Sequence, residues 1–204
     1  MTDTDHESRA FPEIKPIDAG PELGRFMTAM RRLQDIVVST NPDDTLWADA
    51  ACQIEDLCGR LEVHRAPQGV APAGRGSHLL GLGHPLMPPW MMTEAGPAGV
   101  TMHGHFSRFH VGGNNAVHGG VIPLFYDWHF GMIVSAAGRA NSRTAYLHVD
   151  YRKITPIDEP LRSHGRIDSI DGRKAFVTAT MTDSDGNVLS EASGLMIRLL
   201  PHQP

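Results

Sequence analysis

The sequence predicts an α+β fold: a long central helix wrapped by a curved antiparallel sheet, preceded by a helical hairpin. Three observations predict it. Residues 118 to 138 form one helix-length apolar segment. Behind it come consecutive stretches that alternate in the strand manner, divided by the turn sequences "DGRK" and "DSDGN". Ahead of it lie two stretches whose apolar residues recur at steps of three and four. One helix followed by consecutive strands is an α+β pattern. A helix that is apolar nearly all round must be enclosed, so the sheet has to curve about it.

The elements follow in chain order. Residues 1 to 20 read as a mobile tail, polar and acidic, without the basic and apolar regions of a signal peptide. In "ELGRFMTAMRRLQDIVVS", Leu23, Phe26, Met27, Met30, Leu33 and Val37 make one face of a helix over residues 22 to 39. "TNPDD" starts the next. Asn41 can cap, Pro42 suits the first helical position, and Asp43 and Asp44 favour the first turn. Its stripe of Trp47, Ala50, Ala51, Ile54, Leu57, Cys58 and Leu61 runs to about Glu62 and completes the expected hairpin. Cys52 and Cys58 sit on different faces of it and read as core or half-buried thiols, not a disulfide.

Residues 64 to 100 hold six Pro and seven Gly. The apolar cluster Leu86, Met87, Trp90, Met91 and Met92 predicts a loop strapped onto the core, with a substrate lid as the alternative. Strands are expected in "VTMHGHFSRF", "TAYLHVDYRKI", "LRSHGRIDSI", "KAFVTATMTD" and "VLSEASGLMIRLL". The chain thus divides into a tail and hairpin (1–63), a connecting segment (64–99) and the main α+β domain (100–204).

The composition excludes several classes. A chain of 204 residues, 41% hydrophobic and 20% charged, can bury an ordinary core. A net charge of -5 gives no basic footprint for nucleic acid. No run of 18 apolar residues is present to span a membrane, and a cytoplasmic protein is expected. "GRGSHLLGLGHP" lacks the strand and helix that a dinucleotide-binding glycine loop requires. His103 and His105 have no Cys or carboxylate near them in sequence, so no metal site is expected.

The candidate chemistry lies in "NNAVHGGVIPLFYDWHFG", residues 114 to 131. Asp127 is the one Asp, Glu, Lys or Arg between Arg108 and Arg139. It projects from a helix face of small and apolar residues, where an unpaired buried carboxylate is costly. His118, Gly119 and Gly120 sit at the helix entry. There the first N–H groups lack intrahelical acceptors, and glycines admit a ligand to the backbone. Such amides stabilise an oxyanion, and a nearby carboxylate can act as base or nucleophile. The two halves lie roughly 10 Å apart along the helix, which a two-fold dimer resolves by pairing one chain's helix entry with the other's Asp. The plain structural alternative is that Asp127 caps a backbone amide or pairs with Arg139 or Arg143.

At these residues the sequence resembles the hotdog-fold acyl-CoA thioesterase superfamily, in its phenylacetic-acid-degradation-type, 4-hydroxybenzoyl-CoA thioesterase-like branch. "HGGVIPLFYD" matches that family's His-Gly-Gly with a spaced Asp, "HVDYRKITP" fits the strand that follows, and the likeness covers roughly residues 100 to 200. The resemblance implies a hotdog fold and hydrolysis of an acyl-CoA thioester without a cofactor. It implies Asp127 as base or nucleophile, Gly119 or Gly120 polarising the carbonyl, and His118 fixing the turn or contacting the thioester. It also implies an active site between the chains of a homodimer or dimer of dimers. Relatives hold the attacking water with a polar side chain six residues before the His. That position is Gly112 here, and Asn114 and Asn115 are the nearest candidates. Thr144, Tyr146 and His148, alternating on one strand face, are candidate substrate contacts, and Arg75, Arg152 and Lys153 could meet a CoA phosphate. A non-catalytic acyl-CoA or lipid binder acting as sensor or scaffold is the alternative; a hydratase would want an Asp/His pair that the sequence lacks.

Overall fold

The computed structural model describes residues 17, 20–67, 69–96 and 98–200. Most of the tail expected over residues 1 to 20 lies outside them. Helix α1 spans Pro21–Val37 and helix α2 Asp44–Glu62. Strands β1 (Trp90–Gly96) and β2 (Gly99–Gly104) follow, then helix α3 (Val121–Ala136). Strands β3 (Ser142–Tyr151), β4 (Leu161–Asp171), β5 (Lys174–Thr182) and β6 (Val188–Arg198) complete the chain. All pairings are antiparallel, in the order β1-β2-β4-β5-β6-β3.

The sheet wraps α3 as the sequence predicts. Phe125, Tyr126, Phe130, Ile133 and Val134 are buried on the helix, against Val100, Met102, Val177, Ala179, Met181 and Met196 from the strands. Each such side chain contributes on the order of 2 kcal/mol by leaving water. The approach is close. A Cβ on Gly165 would stand 2.6 Å from Ile133 Cδ1, and one on Gly194 2.7 Å from Phe130 Cε2. Register shifts in β1, β3 and β4 mark bulges, which add the curvature that lets the sheet bend around one side of the helix. Two polar side chains of this core are paired, while the Trp90 indole N–H has no partner among the described residues. The Tyr126 hydroxyl donates to the Ser190 carbonyl at 2.9 Å. His129 Nε2 donates to the Val100 carbonyl at 3.2 Å, which leaves Nδ1 to accept from the Ser163 hydroxyl at 3.1 Å.

Four expectations change. The sheet starts at Trp90, ten residues before the strand expected at Val100, because the Pro/Gly-rich segment ends in β1. Its period-two pattern is hidden, since Trp90 alone is fully buried and most of the strand faces outward at the sheet edge. The strand expected through "VTMHGHFSRF" stops at Gly104 and gives way to a short turn of 3-10 helix, Arg108–His110. The α2 cap is Asp43, whose side chain accepts from the Leu46 amide at 2.9 Å, two residues beyond Asn41. Both cysteines are free and exposed, not half-buried. The physical reason is that α2 buries no residue: Trp47, Ile54 and Leu61 of its apolar stripe are 38%, 43% and 50% exposed.

Helix α1, by contrast, is stitched to the body. Met27 is buried. The half-buried Arg31 guanidinium donates to the carbonyls of Met87, Leu80 and His84 at 2.8, 3.2 and 3.2 Å. Asp35 accepts from the Phe109 amide at 2.9 Å. The segment after α2 is therefore a strap, pinned by Arg31 on one side. On the other it is pinned by Trp90, whose ring centre lies 4.3 Å from Phe125 and 5.5 Å from Phe106.

Burial pushes the His129 imidazole down to about 4, more than its bond to Val100 holds it up. Burial also lowers His110. A folded-state value below the unfolded one, about 6.5, means that only the unfolded chain gains the proton at mildly acidic pH. The stabilisation is therefore complete above about pH 6.5 and is lost as pH falls towards about 4, by on the order of 3 kcal/mol for His129. Thermal melts should show a lower midpoint at about pH 5 than at about pH 7, and His129→Gln should flatten that dependence. A midpoint that does not fall with pH in the unsubstituted chain contradicts this.

Candidate active site

The helix entry is built by a tight turn in front of it. Val111 and Val117 bridge, and the Ala116 amide donates to the Gly113 carbonyl at 3.1 Å. Asn114 and Asn115 take φ of 55° and 56°, the left-handed pair that a two-residue hairpin turn needs and that Asn tolerates. Both are exposed at its tip. Gly112 packs beneath the turn, where a Cβ would lie 2.9 Å from His118 Cα, so a larger residue cannot occupy this position unchanged.

His118 then organises the two glycines. Its amide donates to the His110 carbonyl at 2.8 Å, and its Nδ1 accepts from the Gly120 amide at 3.0 Å. That fixes the neutral ring as the tautomer with Nε2–H outward. The Tyr151 hydroxyl donates to the Gly119 carbonyl at 2.7 Å and ties the turn to the end of β3. Of the two glycine amides, Gly120 is thus committed to His118. Gly119 donates to no acceptor among the described residues.

Asp127 stands on the exposed side of α3, not buried as its apolar surroundings suggested. The reason is that the sheet covers one side of the helix only. Its Oδ1 accepts a 2.6 Å hydrogen bond from the Thr144 hydroxyl, the partner that sequence reasoning placed near substrate. The expected shared face of Thr144, Tyr146 and His148 does not form. A bulge at Ala145 shifts the pairing from Thr144–Met196 to Tyr146–Leu195. One extra residue reverses the alternation. Thr144 therefore lies on the α3 side with Leu147 and Val149, while Tyr146 and His148 are exposed.

A cavity of about 760 Å³ opens beside Asp127. Its floor is α3, through Asp127, Trp128 and Met132; its far wall is the strap and β1, through Leu82, Met87 and Met91. Sequence reasoning missed these apart from Asp127 and the methionines of the strap. The available signal was helical spacing, since Gly131 and Ser135 lie four and eight residues beyond Asp127 and also line the cavity. Neither His118, Gly119 nor Gly120 is part of that lining. A single chain thus separates the two halves of the expected site.

The residues read as CoA contacts are engaged within the chain. Arg152 donates to Glu191 at 2.7 Å, Lys153 to Asn187 at 2.9 Å, and Arg75 to the Gly69 and Val70 carbonyls at 3.0 Å. Among the described residues no cluster of His, Cys, Asp or Glu could hold a metal ion. No described helix is long and apolar enough to cross a membrane.

The family model of the thioesterase superfamily matches residues 114–190, from the asparagine turn to β6. Rat acyl-coenzyme A thioesterase THEM4 is 35% identical over 89 residues, 43% of this chain and 38% of that protein. The chain therefore spans well under half of the curated relatives it matches. A crystallised thioesterase superfamily protein superposes with a TM-score of 0.74 at 26% identity, over 90% of this chain and 97% of its own. A hypothetical thioesterase of Streptococcus pneumoniae, solved with coenzyme A, shares the fold at a TM-score of 0.51 and 17% identity, over 53% of this chain and 86% of its own. The matched segment holds both halves of the candidate site, and the sheet wrapped around α3 gives the chain the hotdog fold that these thioesterases share.

Proposed function

We propose that the protein hydrolyses an acyl-CoA thioester to the free acid and CoA. The observation that carries this reading is Asp127, a carboxylate held by the Thr144 hydroxyl at the edge of a largely apolar cavity in the segment that matches thioesterases. The names of the THEM4 relatives and the coenzyme A bound by the streptococcal protein support the substrate class. Asp127 is the base or nucleophile. Acting as base, it takes a proton from water as the water attacks the thioester carbon. The Gly119 amide, at a helix start, receives the developing oxyanion. Collapse of the tetrahedral adduct breaks the C–S bond and releases CoA as the thiolate. The Gly120 amide supports this by holding His118, and His118 by holding the turn. Asn114 and Asn115 act as turn formers that place the entry, and Tyr146 and His148 are left as contacts for the substrate's outer part.

The separation of Gly119 from the Asp127 cavity supports a composite site in a two-fold homodimer. A non-catalytic acyl-CoA or lipid binder is the competing reading, favoured by the exposed stripe of α2, which a partner would cover.

Release of free thiol from a panel of acyl-CoAs decides between them. Asp127→Asn should lower kcat/KM by about a hundredfold or more. Thr144→Val, isosteric and unable to donate, should lower it by about tenfold with a near-unchanged melting midpoint. Absence of hydrolysis by the unsubstituted chain leaves the binder reading standing, and equal rates for Asp127→Asn and wild type remove Asp127 as the base.

The composite site has its own check. Inactive Asp127→Asn and inactive Gly119→Val chains, unfolded together and refolded, form heterodimers with one intact site each. They should recover about a quarter of wild-type activity. No recovery from correctly folded heterodimers rules out a site shared between chains.

A further inference from the structure

Glycine in the middle of a helix costs stability, about 1 kcal/mol against alanine. It is retained where a Cβ has no room or where room is needed for something else. Gly165 and Gly194 belong to the first kind. Gly131, eleven residues into α3, does not: an ideal Cβ there meets nothing within 4 Å. The space it faces is the cavity beside Asp127. Gly131 follows Asp127 by four residues, so the two stand one above the other on the same helix face.

The opposite wall is equally specific. Met87, Met91 and Met92 line it from the strap and β1, and two further methionines, Met132 of α3 and Met196 of β6, complete the lining. Methionine is flexible and polarizable, and it adapts to ligands of different shape. The volume, about 760 Å³, is far beyond an acetyl group and lies within the roughly 300–1,000 Å³ of sites that enclose whole small molecules. The strap that supplies this wall lies before residue 114, where the family match begins, and is held by Arg31 of α1.

We propose that the cavity between α3 and the strap is the acyl pocket, that it takes apolar acyl chains much larger than acetyl, and that Gly131 sets its depth. The substrate in this proposal rests on the hydrolytic reading above; the pocket itself does not. The thioester carbonyl sits at Asp127 and the chain runs over Gly131 beneath the methionines of the strap. A side chain at 131 occupies the space of the acyl tail and not that of the thioester.

Binding and turnover test it separately. The ethyl and dodecyl thioethers of coenzyme A, which cannot be hydrolysed, are titrated calorimetrically into the full chain, and kcat/KM is measured for acetyl-CoA and dodecanoyl-CoA. Wild type should bind the dodecyl thioether at least about tenfold tighter than the ethyl. Gly131→Leu should cut both that preference and the dodecanoyl-to-acetyl ratio of kcat/KM by about tenfold or more. Gly131→Ala should raise the melting midpoint, because a helix former enters empty space, and should keep most of the preference. Equal weakening of both thioethers by Gly131→Leu, no dodecyl preference in wild type, or a lower midpoint for Gly131→Ala each overturns the proposal. A lower midpoint would mean that position 131 is packed, by a second chain included. Discrimination between thioethers without any hydrolysis upholds the pocket and removes the hydrolytic reading.

Discussion

Helix α3 lies so close to its sheet that Ile133 and Phe130 occupy the space where Gly165 and Gly194 would carry a Cβ. The rest of the architecture depends on this contact. It draws β4, β5 and β6 into a curve, and polar side chains buried beneath the helix are stable there when they find partners in the protein. His129 and Tyr126 do so, with Val100, Ser163 and Ser190. The same contact leaves the other side of α3 uncovered. Asp127, Gly131 and Ser135 line the cavity on that side, so the depth of the core and the position of the candidate site are one geometric fact.

The uncovered side is then closed by chain that precedes the family match. Arg31 gathers three carbonyls of a Pro/Gly-rich segment that has little secondary structure of its own. Such carbonyls, outside any ladder, need donors, and one arginine fork supplies them. Trp90 locks the far end between Phe106 and Phe125. The part from Leu80 to Trp90 is thereby held as a wall. Helix α1 matters to the site through this wall, although none of its residues lines the cavity.

At the helix entry the chain uses its donors economically. His118 takes the Gly120 amide and Tyr151 holds the Gly119 carbonyl, so the turn is rigid while the Gly119 amide has no acceptor among the described residues. That amide and the Asp127 cavity are apart in one chain. α2 likewise presents Trp47, Ile54 and Leu61 outward. A helix of this length gains most of its stability from packing an apolar face, and among the described residues α2 buries none of its own.

The sequence by itself determined the fold class, the helix that carries the candidate site and the turns between the last strands. Hydrophobic period, turn chemistry and one isolated charge are local properties, and they survive in the folded chain at α3, β4, β5, β6 and Asp127. Tertiary structure decided the rest. A bulge at Ala145 sent Thr144 to Asp127 and turned Tyr146 and His148 away, because a single added residue reverses every later side chain and leaves no mark in the alternation beforehand. β1 stayed hidden in a Pro/Gly-rich stretch because an edge strand buries too little to show a period. Asp127 is exposed although its neighbours in sequence are apolar, because which side of a helix the sheet covers is set by packing over long sequence distances. For the same reason Gly131 reads as a weak spot in a helix and becomes the floor of a cavity only once the strap is folded across it.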